Sequence, residues 1–328
     1  MKKIKLKFVG FTSKIQEQGL RDIIGRHFEI EDSSEPDYVM YWVYDYEHLK
    51  YNSIRILYTS ECYTPDFNDC DYAIGFDRLC FGDRYTRVPL YTLFQYQKFY
   101  DYIKQRPKFD KGLLRTKDRF CTFVVSNCFA QDVRSKLFEK LSEYKKVDSG
   151  GRFKNNIGGA VKDKQAFLKR AKFNIAGENC SYDGYATEKI VEAFAADTIP
   201  IYYGDPNIVK DFNPRAFVNV HDFASLDEVL EKVKEIDNND DLYLSMLNEP
   251  IINPEAQIGD IESFLTAIFE QPIEKAIRRS HSIVANDYEA ADKRHSFYEA
   301  RVYKYIKKIR NQIYRLRTGV FLTSRRTK

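Results

Sequence analysis

The chain has 328 residues, 43% of them hydrophobic, which suits two domains of ordinary size that each bury a core. Ten of the 52 lysines and arginines, and none of the 48 acidic residues, follow position 300, so the residues before it carry a net charge of −6. This distribution argues against a body that binds nucleic acid, and no segment resembles a signal peptide or a membrane-spanning helix.

The first ~105 residues alternate strand and helix patterns. Short apolar or aromatic runs predict strands at 4–11, 37–44, 53–60 and 71–76. One-sided apolar spacing predicts helices at 13–28 and 92–105. Pro107 and Gly112 then interrupt the pattern, which predicts a domain boundary at residue 112.

A second alternating series follows this boundary. Strands are predicted at 119–127, 172–179, 198–204 and 217–220, and helices at 132–144, 164–171, 188–196 and 225–236. Strand patterns stop near residue 253, and 257–318 is predicted to be largely helical. Two such series predict an α/β protein with two parallel-sheet domains facing each other. The predicted domains are 1–112 and 113–270, followed by a helical segment and tail, 271–328.

The sequence offers no pattern for a metal or cofactor site. The five histidines form no HxxxH or HExxH motif, and the six cysteines lack the spacing of a metal site. No cofactor is therefore predicted, although a divalent cation such as Mg²⁺ or Mn²⁺ could stimulate a reaction without a dedicated protein site.

The stretch ENCSYDGYATEK, 178–189, lies between a predicted strand and a predicted helix, where open α/β sheets bind ligands. Thr187 is the expected N-cap, and Glu188 suits the positive end of the helix dipole. Lys189 does not, because a cation there is disfavoured by about 0.3–1 kcal/mol. A diphosphate beside Lys189 would remove this conflict; a lysine turned into solvent is the alternative. The candidate ligand-binding residues are Asn179, Tyr185, Glu188 and Lys189.

Two more charged residues follow predicted strands. Arg134 lies near the start of the helix after strand 119–127, where a guanidinium can bind phosphate with two hydrogen bonds. Glu61 directly follows strand 53–60, where a carboxylate can act as a general base. Taken singly, Arg134 is better explained as an ordinary helix arginine and Glu61 as a solvated glutamate at a strand end. The glycine pairs at 150–151 and 158–159 match neither P-loop nor dinucleotide-binding spacing.

The segment FNIAGENCSYDGYATEKIVEAFAADTIPIYYGDPNIVKDFNPRAFVNV, 173–220, resembles the signature region of α-1,3-fucosyltransferases. The runs YTSE, FVVSN and VDSGGRFKNN extend the resemblance over about residues 55–250. It implies a GT-B fold of two Rossmann-like domains, a GDP-β-L-fucose donor and an acceptor that carries GlcNAc, often as N-acetyllactosamine. It also implies transfer with inversion to the 3-OH of GlcNAc, which makes Lewis-type antigens.

The resemblance also assigns roles to the candidate residues. By motif position it implies a general base at Glu61, diphosphate contacts at Arg134 and Lys189, fucose contacts at Asn179 and Glu188, and a nucleotide contact at Tyr185. The N-terminal domain would then bind the acceptor and the C-terminal domain would bind GDP-fucose.

The C-terminal part alternates basic and apolar residues at helical spacing. Its apolar stripe is Val302, Ile306, Ile309, Ile313 and Leu316. Such a helix suits an anionic membrane surface, where lipopolysaccharide acceptors lie, and residues 301–328 are predicted to bind there. A helix packed on the protein is the alternative.

The predicted location is cytoplasmic, peripheral on the inner face of a bacterial membrane. Two other functions stay open: a transferase that uses another sugar nucleotide, and a non-catalytic binder of membranes or nucleic acid that acts through its tail.

Overall fold

A computed structural model describes residues 1–43, 46–127, 132–298, 302 and 304–318. The chain divides into two compact units. The first unit combines Met1–Val88 with the chain from Ile258 onward, and the second unit is Pro89–Gln257. Parts of the predicted tail, 299–301, 303 and 319–328, lie outside the described residues.

The first unit is built on a parallel sheet of six described strands in the order β2-β1-β3-β4-β5-β6. The strands are β1 Lys2–Val9, β2 Phe28–Glu31, β3 Tyr38–Tyr41, β4 Ile54–Tyr58, β5 Tyr72–Gly75 and β6 Tyr85–Arg87, and helix α1 is Lys14–Gly25. Every residue of β3, β4 and β5 is buried. Central parallel strands are covered on both faces, which explains their nearly continuous apolar and aromatic sequences.

The second unit contains a parallel sheet of five described strands in the order β11-β10-β9-β7-β8. The strands are β7 Arg119–Phe123, β8 Val147–Ser149, β9 Ala171–Gly177, β10 Ile199–Tyr203 and β11 Val218–Asn219. The helices are α2 Phe94–Lys104, α3 Val133–Ser142, α4 Lys164–Lys169, α5 Glu188–Ala195, α6 Leu226–Asp237 and α7 Asp240–Leu247. Two parallel sheets with intervening helices confirm the predicted α/β, GT-B class.

The chain after residue 258 returns to the first unit as helices. They are α8 Ile261–Glu270, α9 Ile273–Ala276, α10 Ile283–Tyr298 and α11 Lys304–Thr318. On α8, the Phe269 ring meets Tyr38 edge to face, with ring centroids 4.9 Å apart. Asp71, fully buried, accepts hydrogen bonds from the backbone N–H groups of Arg278 and Arg279 and from Nε of Arg279. These contacts fix the start of the C-terminal segment to the first sheet.

The observed units differ from the predicted domains at both boundaries. Helix α2 was assigned to the N-terminal domain, yet it packs on the second unit: Tyr102 donates a hydrogen bond to Asp197 at 2.9 Å. Arg106, just after α2, donates to the carbonyl of Phe194 at 3.2 Å. Residues 258–270, assigned to the C-terminal domain, belong to the first unit. Sequence periodicity marks elements, but it does not reveal which sheet a helix packs against.

Several short elements were not predicted from the sequence. Strands β2, β6 and β8 have only three or four residues, and α7 follows α6 after two residues. Strand β11 is shorter than predicted, since its chain turns into a 3₁₀ helix at Val220. Among the described residues, no helix is long and apolar enough to cross a membrane.

Candidate functional site

The loop from residue 178 to 187 leaves the carboxyl end of β9 and leads into α5. Strand β9 lies between β7 and β10, so the loop emerges from the middle of the sheet edge, where α/β sheets bind ligands. Helix α3 follows β7, and its Arg134 reaches the same edge. A Cβ atom on Gly177 would lie only 2.7 Å from Cγ of Arg134, so glycine at 177 allows that side chain to pass.

Arg134 is buried and held by two hydrogen bonds. Its Nη1 donates to Oδ1 of Asn179 at 3.0 Å, and its Nη2 donates to the carbonyl of Asn127 at 2.8 Å. Only 2% of the residue is exposed, which excludes the surface-arginine alternative. The structure therefore brings Arg134 and Asn179 together, as the predicted site requires.

Thr187 is the N-cap of α5 as predicted, but its hydroxyl makes no capping bond to the helix. The hydroxyl instead donates to the carboxylate of Glu178, with oxygen distances of 2.8 and 2.9 Å. The backbone N–H of Thr187 also donates to Oε1 of Glu178, at 2.7 Å. The carboxylate of Glu178, at the end of the preceding strand, thus holds the N-cap residue of α5 in place.

Lys189 contacts the same carboxylate. Its Nζ donates to Oε2 of Glu178 at 2.8 Å and to Oγ1 of Thr187 at 2.7 Å, and lies 3.4 Å from Oε1 of Glu188. The side chain is 19% exposed, so a lysine turned fully into solvent is excluded. The expected conflict between Lys189 and the helix end is offset by a buried carboxylate of the protein itself.

Glu188 and Lys189 carry opposite charges at neutral pH. Burial lowers the pKa of Lys189, but the carboxylates of Glu178 and Glu188 outweigh burial and hold that pKa above its ordinary value. Burial raises the pKa of Glu188, but the positive charges of Lys189 and Lys164 lower it by more than burial raises it. The pKa of Glu188 therefore lies below its ordinary value. The start of α5 therefore presents a fixed cation beside a fixed anion.

Tyr185 lies in the same loop, but its side chain is buried in the second unit. The residue is 2% exposed, and its carbonyl accepts a hydrogen bond from the hydroxyl of Tyr202 at 3.4 Å. Gly184 precedes it with a φ of 81°, a left-handed conformation that favours glycine. The turn at Gly184 thus directs the chain inward before α5 begins.

Glu61 belongs to the first unit, where it follows β4 at the carboxyl end of the sheet. Thr59 holds its backbone: Oγ1 of Thr59 accepts from the Glu61 N–H and donates to the Glu61 carbonyl, both at 3.2 Å. The residue is partly exposed, and its carboxylate has no hydrogen bond or ion pair to any other residue that the structure describes. This carboxylate is thus open to an approaching hydroxyl group.

Sequence patterns alone do not single out Glu178, the first residue of the stretch 178–189. The signal that points to Glu178 is its position directly after a buried strand, the same signal that selects Glu61.

In the part of the chain that the structure describes, no group of three or more His, Cys, Asp or Glu side chains could hold a metal ion.

Comparison with known protein families covers most of both units. Residues 6–94 match the α-(1,3)-fucosyltransferase FucT N-terminal domain, and residues 114–248 match the C-terminal domain of glycosyltransferase family 10, the fucosyltransferases. The chain belongs to glycosyltransferase family 10. The chain is also similar to a crystal structure of an α1,3-fucosyltransferase with GDP-fucose, with 30% sequence identity and a TM-score of 0.70. The superposition includes 86% of this chain and 94% of the crystallised chain.

Individual family 10 relatives match over shorter stretches. The α-(1,3)-fucosyltransferase FucT of Helicobacter pylori is 37% identical over 230 residues, which are 62% of this chain and 48% of the relative. The mouse 4-galactosyl-N-acetylglucosaminide 3-α-L-fucosyltransferase 9 is 31% identical over 137 residues, which are 40% of this chain and 37% of the relative. The chain therefore spans about half or less of the length of these two relatives.

Proposed function

We propose that this chain transfers L-fucose from GDP-β-L-fucose to the 3-OH of GlcNAc in N-acetyllactosamine-type glycans, with inversion at the anomeric carbon. One observation carries the proposal: two adjacent residues, Glu178 and Asn179, hold the cations Lys189 and Arg134 at the carboxyl edge of the second sheet. The similarity to a fucosyltransferase that was crystallised with GDP-fucose supports this donor.

On the donor side, Arg134 and Lys189 are assigned to the diphosphate. As the bond from the anomeric carbon to the diphosphate oxygen breaks, negative charge grows on the leaving GDP. Two fixed cations stabilise that charge without having to reorganise during the reaction. Asn179 and Glu188 are assigned to the fucose, and Tyr185 to the nucleotide. Because Tyr185 is buried, we assign it to shaping the inner side of the loop 178–187 next to the nucleotide.

On the acceptor side, Glu61 is assigned as the general base. Its carboxylate takes the proton of the acceptor hydroxyl while that oxygen attacks the anomeric carbon, and GDP leaves from the opposite face. The reaction inverts the configuration at the anomeric carbon. The fucosyl group passes from GDP to the acceptor oxygen, and the proton of the acceptor hydroxyl passes to Glu61. The partly exposed carboxylate of Glu61, open among the described residues, supports the assignment.

The acceptor class follows from the chemistry that a related enzyme's name states. The mouse relative is named for fucose transfer to position 3 of a 4-galactosyl-N-acetylglucosaminide, which is the N-acetyllactosamine unit. The product of this chain would then be a Lewis-type trisaccharide. We place the natural acceptor on a bacterial glycan such as lipopolysaccharide.

Helix α11 supports a peripheral location on the cytoplasmic face of a membrane. The stripe residues Ile306, Ile309 and Leu316 are each more than half exposed, although they are apolar. The sequence around them is rich in lysine and arginine and contains no acidic residue. A helix with an apolar face and basic flanks is suited to an anionic membrane surface.

The transferase assay combines the protein with GDP-fucose and N-acetyllactosamine and measures both GDP release and trisaccharide. Glu61→Gln and Glu61→Ala are expected to lower kcat by about 10²–10⁴-fold, the usual contribution of a general base, and to leave GDP-fucose binding intact. Glu29→Gln, at an exposed glutamate of the same unit, is the matched control.

Three outcomes would refute parts of this function. Absence of transfer to every GlcNAc-containing acceptor would refute the activity, and full activity of Glu61→Gln would remove Glu61 as the base. GDP-mannose as a competitor tests the donor: if it binds more tightly than GDP-fucose, another sugar nucleotide is the substrate.

A further inference from the structure

We propose that Glu178 is a positioning residue, whose buried carboxylate holds the ammonium of Lys189 in the orientation that meets the donor's diphosphate. This inference rests on the proposed function, because it takes the diphosphate as the group that Lys189 meets. It adds a residue to which no role was assigned from the sequence or from the family resemblance.

The Glu178 side chain is confined from several sides. The residue is fully buried, and its backbone N–H donates to the carbonyl of Tyr203 at 2.7 Å, which fixes it to the end of β10. A Cβ atom on Gly204 would lie 2.5 Å from Cγ of Glu178, so the glycine leaves room for this carboxylate. The side chain therefore has little freedom to take another conformation.

The hydrogen bonds around Glu178 have a definite direction. Thr187 has one hydroxyl proton, which it donates to the carboxylate, so its oxygen lone pairs face Lys189 and accept from it. The ammonium has three donors. Glu178 and Thr187 accept two of them, and the third is left for Glu188 or for a phosphate oxygen. The carboxylate thus aims the remaining donor as well as holding the charge.

The charge of Glu178 is as important as its shape. A buried ammonium that loses its carboxylate tends to lose its proton, because burial disfavours the charged form. Without Glu178, Lys189 would retain the neighbouring carboxylate of Glu188, whose closest oxygen lies 3.4 Å away. Glu178 therefore keeps Lys189 protonated where it can neutralise a leaving diphosphate.

Glu178→Gln tests the proposal with little change in volume. The backbone N–H of Thr187 needs an acceptor, so the amide oxygen is expected to face it and the amide NH₂ to face Lys189. Lys189 then loses the closer of its two carboxylates, both as an acceptor and as a counter-charge, and keeps Thr187 and Glu188. We expect the Kd for GDP to rise by about tenfold near pH 7, the size expected when one charge-assisted hydrogen bond is lost.

The binding profile with pH distinguishes positioning from simple stability. In the wild type the pKa of Lys189 is raised, so the ammonium and its contribution to GDP binding persist from about pH 6 to pH 9. In Glu178→Gln that pKa falls, so GDP affinity is expected to decline further as the pH rises over this range. A loss of stability alone would not produce this pH-dependent decline.

Three further variants complete the test. Thr187→Val removes the bridging hydroxyl and is expected to weaken GDP binding by about threefold, whereas Thr187→Ser keeps the hydroxyl and restores it. Glu192→Gln is the matched control, because Glu192 is a buried glutamate on α5 that pairs with Lys164 and not with Lys189. We expect this control to bind GDP like the wild type.

A second measurement does not depend on any ligand. Nitrogen-15 NMR of the lysine side chains, with the Lys189 signal assigned by Lys189→Arg, follows the protonation of Lys189 directly. We expect this ammonium to keep its proton up to about pH 9 in the wild type and to lose it between about pH 6 and pH 9 in Glu178→Gln, the range over which GDP affinity is expected to decline. Thermal unfolding of each variant verifies that the measurements are made on folded protein.

The outcomes separate the two proposals. An unchanged Lys189 titration and unchanged GDP affinity in folded Glu178→Gln overturn the positioning role. If the wild type does not bind GDP, the proposed function fails instead, and the Lys189 titration still decides whether Glu178 controls the lysine.

Discussion

Lys189 is the residue on which the donor assignment depends most directly. We expect Lys189→Ala to weaken GDP binding by about 10- to 100-fold, because a charge-assisted hydrogen bond contributes about 1.5–3 kcal/mol. Calorimetric titration with GDP measures the change. The variant also leaves the Glu178 carboxylate buried without its cation, so its unfolding temperature is expected to fall.

A matched control separates the loss of a specific contact from the loss of a positive charge. Lys210 is an exposed lysine of the same unit, and Lys210→Ala removes the same charge from the 3₁₀ helix after β10 instead of from α5. GDP affinity within twofold of the wild type for both variants would refute the diphosphate role of Lys189.

Local helix rules predict some features of this site, but they do not predict the partner of Lys189. The position of Thr187 as N-cap and the unusual place of Lys189 follow from local helix rules, and the structure confirms the N-cap. The partner of Lys189 does not follow from them. Glu178 lies eleven positions earlier in the chain, and only the packing of β9 beside α5 brings its carboxylate under the ammonium.

At the scale of elements, the loop after β8 packs closely against the backbone that follows β7. A Cβ atom on Gly151 would lie 1.9 Å from the carbonyl oxygen of Val125, so the two backbones can approach only because position 151 is glycine. We expect Gly151→Ala to lower the free energy of unfolding by about 1–3 kcal/mol, as overpacked substitutions do. Thermal and denaturant unfolding measure this loss.

Gly25→Ala is the control for this substitution. Gly25 ends α1, and a Cβ atom there would meet nothing within 4 Å. Alanine is favoured over glycine in helices by about 0.5–1 kcal/mol, so this variant is expected to be as stable as the wild type or more stable. Equal stability of the two variants would mean that the loop moves to accept the extra methyl group.

Elements were predictable from sequence in proportion to their length and pattern. Strands β4 and β9 are long apolar runs and helix α6 has a clear apolar stripe, and the structure confirms all three. Ser225 caps α6, because its hydroxyl oxygen accepts a hydrogen bond from the N–H of Glu228 at 3.2 Å. Three- and four-residue strands such as β6 and β8 have too few residues to establish a period, so their pairing depends on tertiary contacts.

At the scale of the whole molecule, two alternating series predicted two parallel sheets correctly, but not where the chain passes between the units. The chain leaves the first unit at Val88 and returns at Ile258, which makes that unit discontinuous. Local composition near Pro107 suggested a boundary because proline and glycine interrupt helices there. A discontinuous unit depends on contacts such as those of Asp71 with Arg279, which are 208 residues apart.

Because the basic residues after position 300 flank an apolar stripe, binding of helix α11 to an anionic membrane can be tested. Ile309→Asp places a charge in the exposed apolar stripe of α11. Burying an apolar side chain of this size contributes about 1.5–3 kcal/mol, so we expect binding to vesicles that contain phosphatidylglycerol to fall at least about tenfold. Cosedimentation measures binding, and transfer to soluble N-acetyllactosamine is expected to stay unchanged because the stripe is distant in sequence from every assigned site residue.

Gln312→Asp introduces the same charge on the same helix outside the stripe, and therefore tests whether charge alone explains the effect. We expect Gln312→Asp to weaken binding by no more than about fivefold, since each basic or acidic change near an anionic surface contributes about 1 kcal/mol or less once salt screens it. Equal losses in both variants would mean that the tail is attracted only by its charge. Binding of Ile309→Asp at the wild-type level would refute insertion of the stripe and would favour a helix packed on protein.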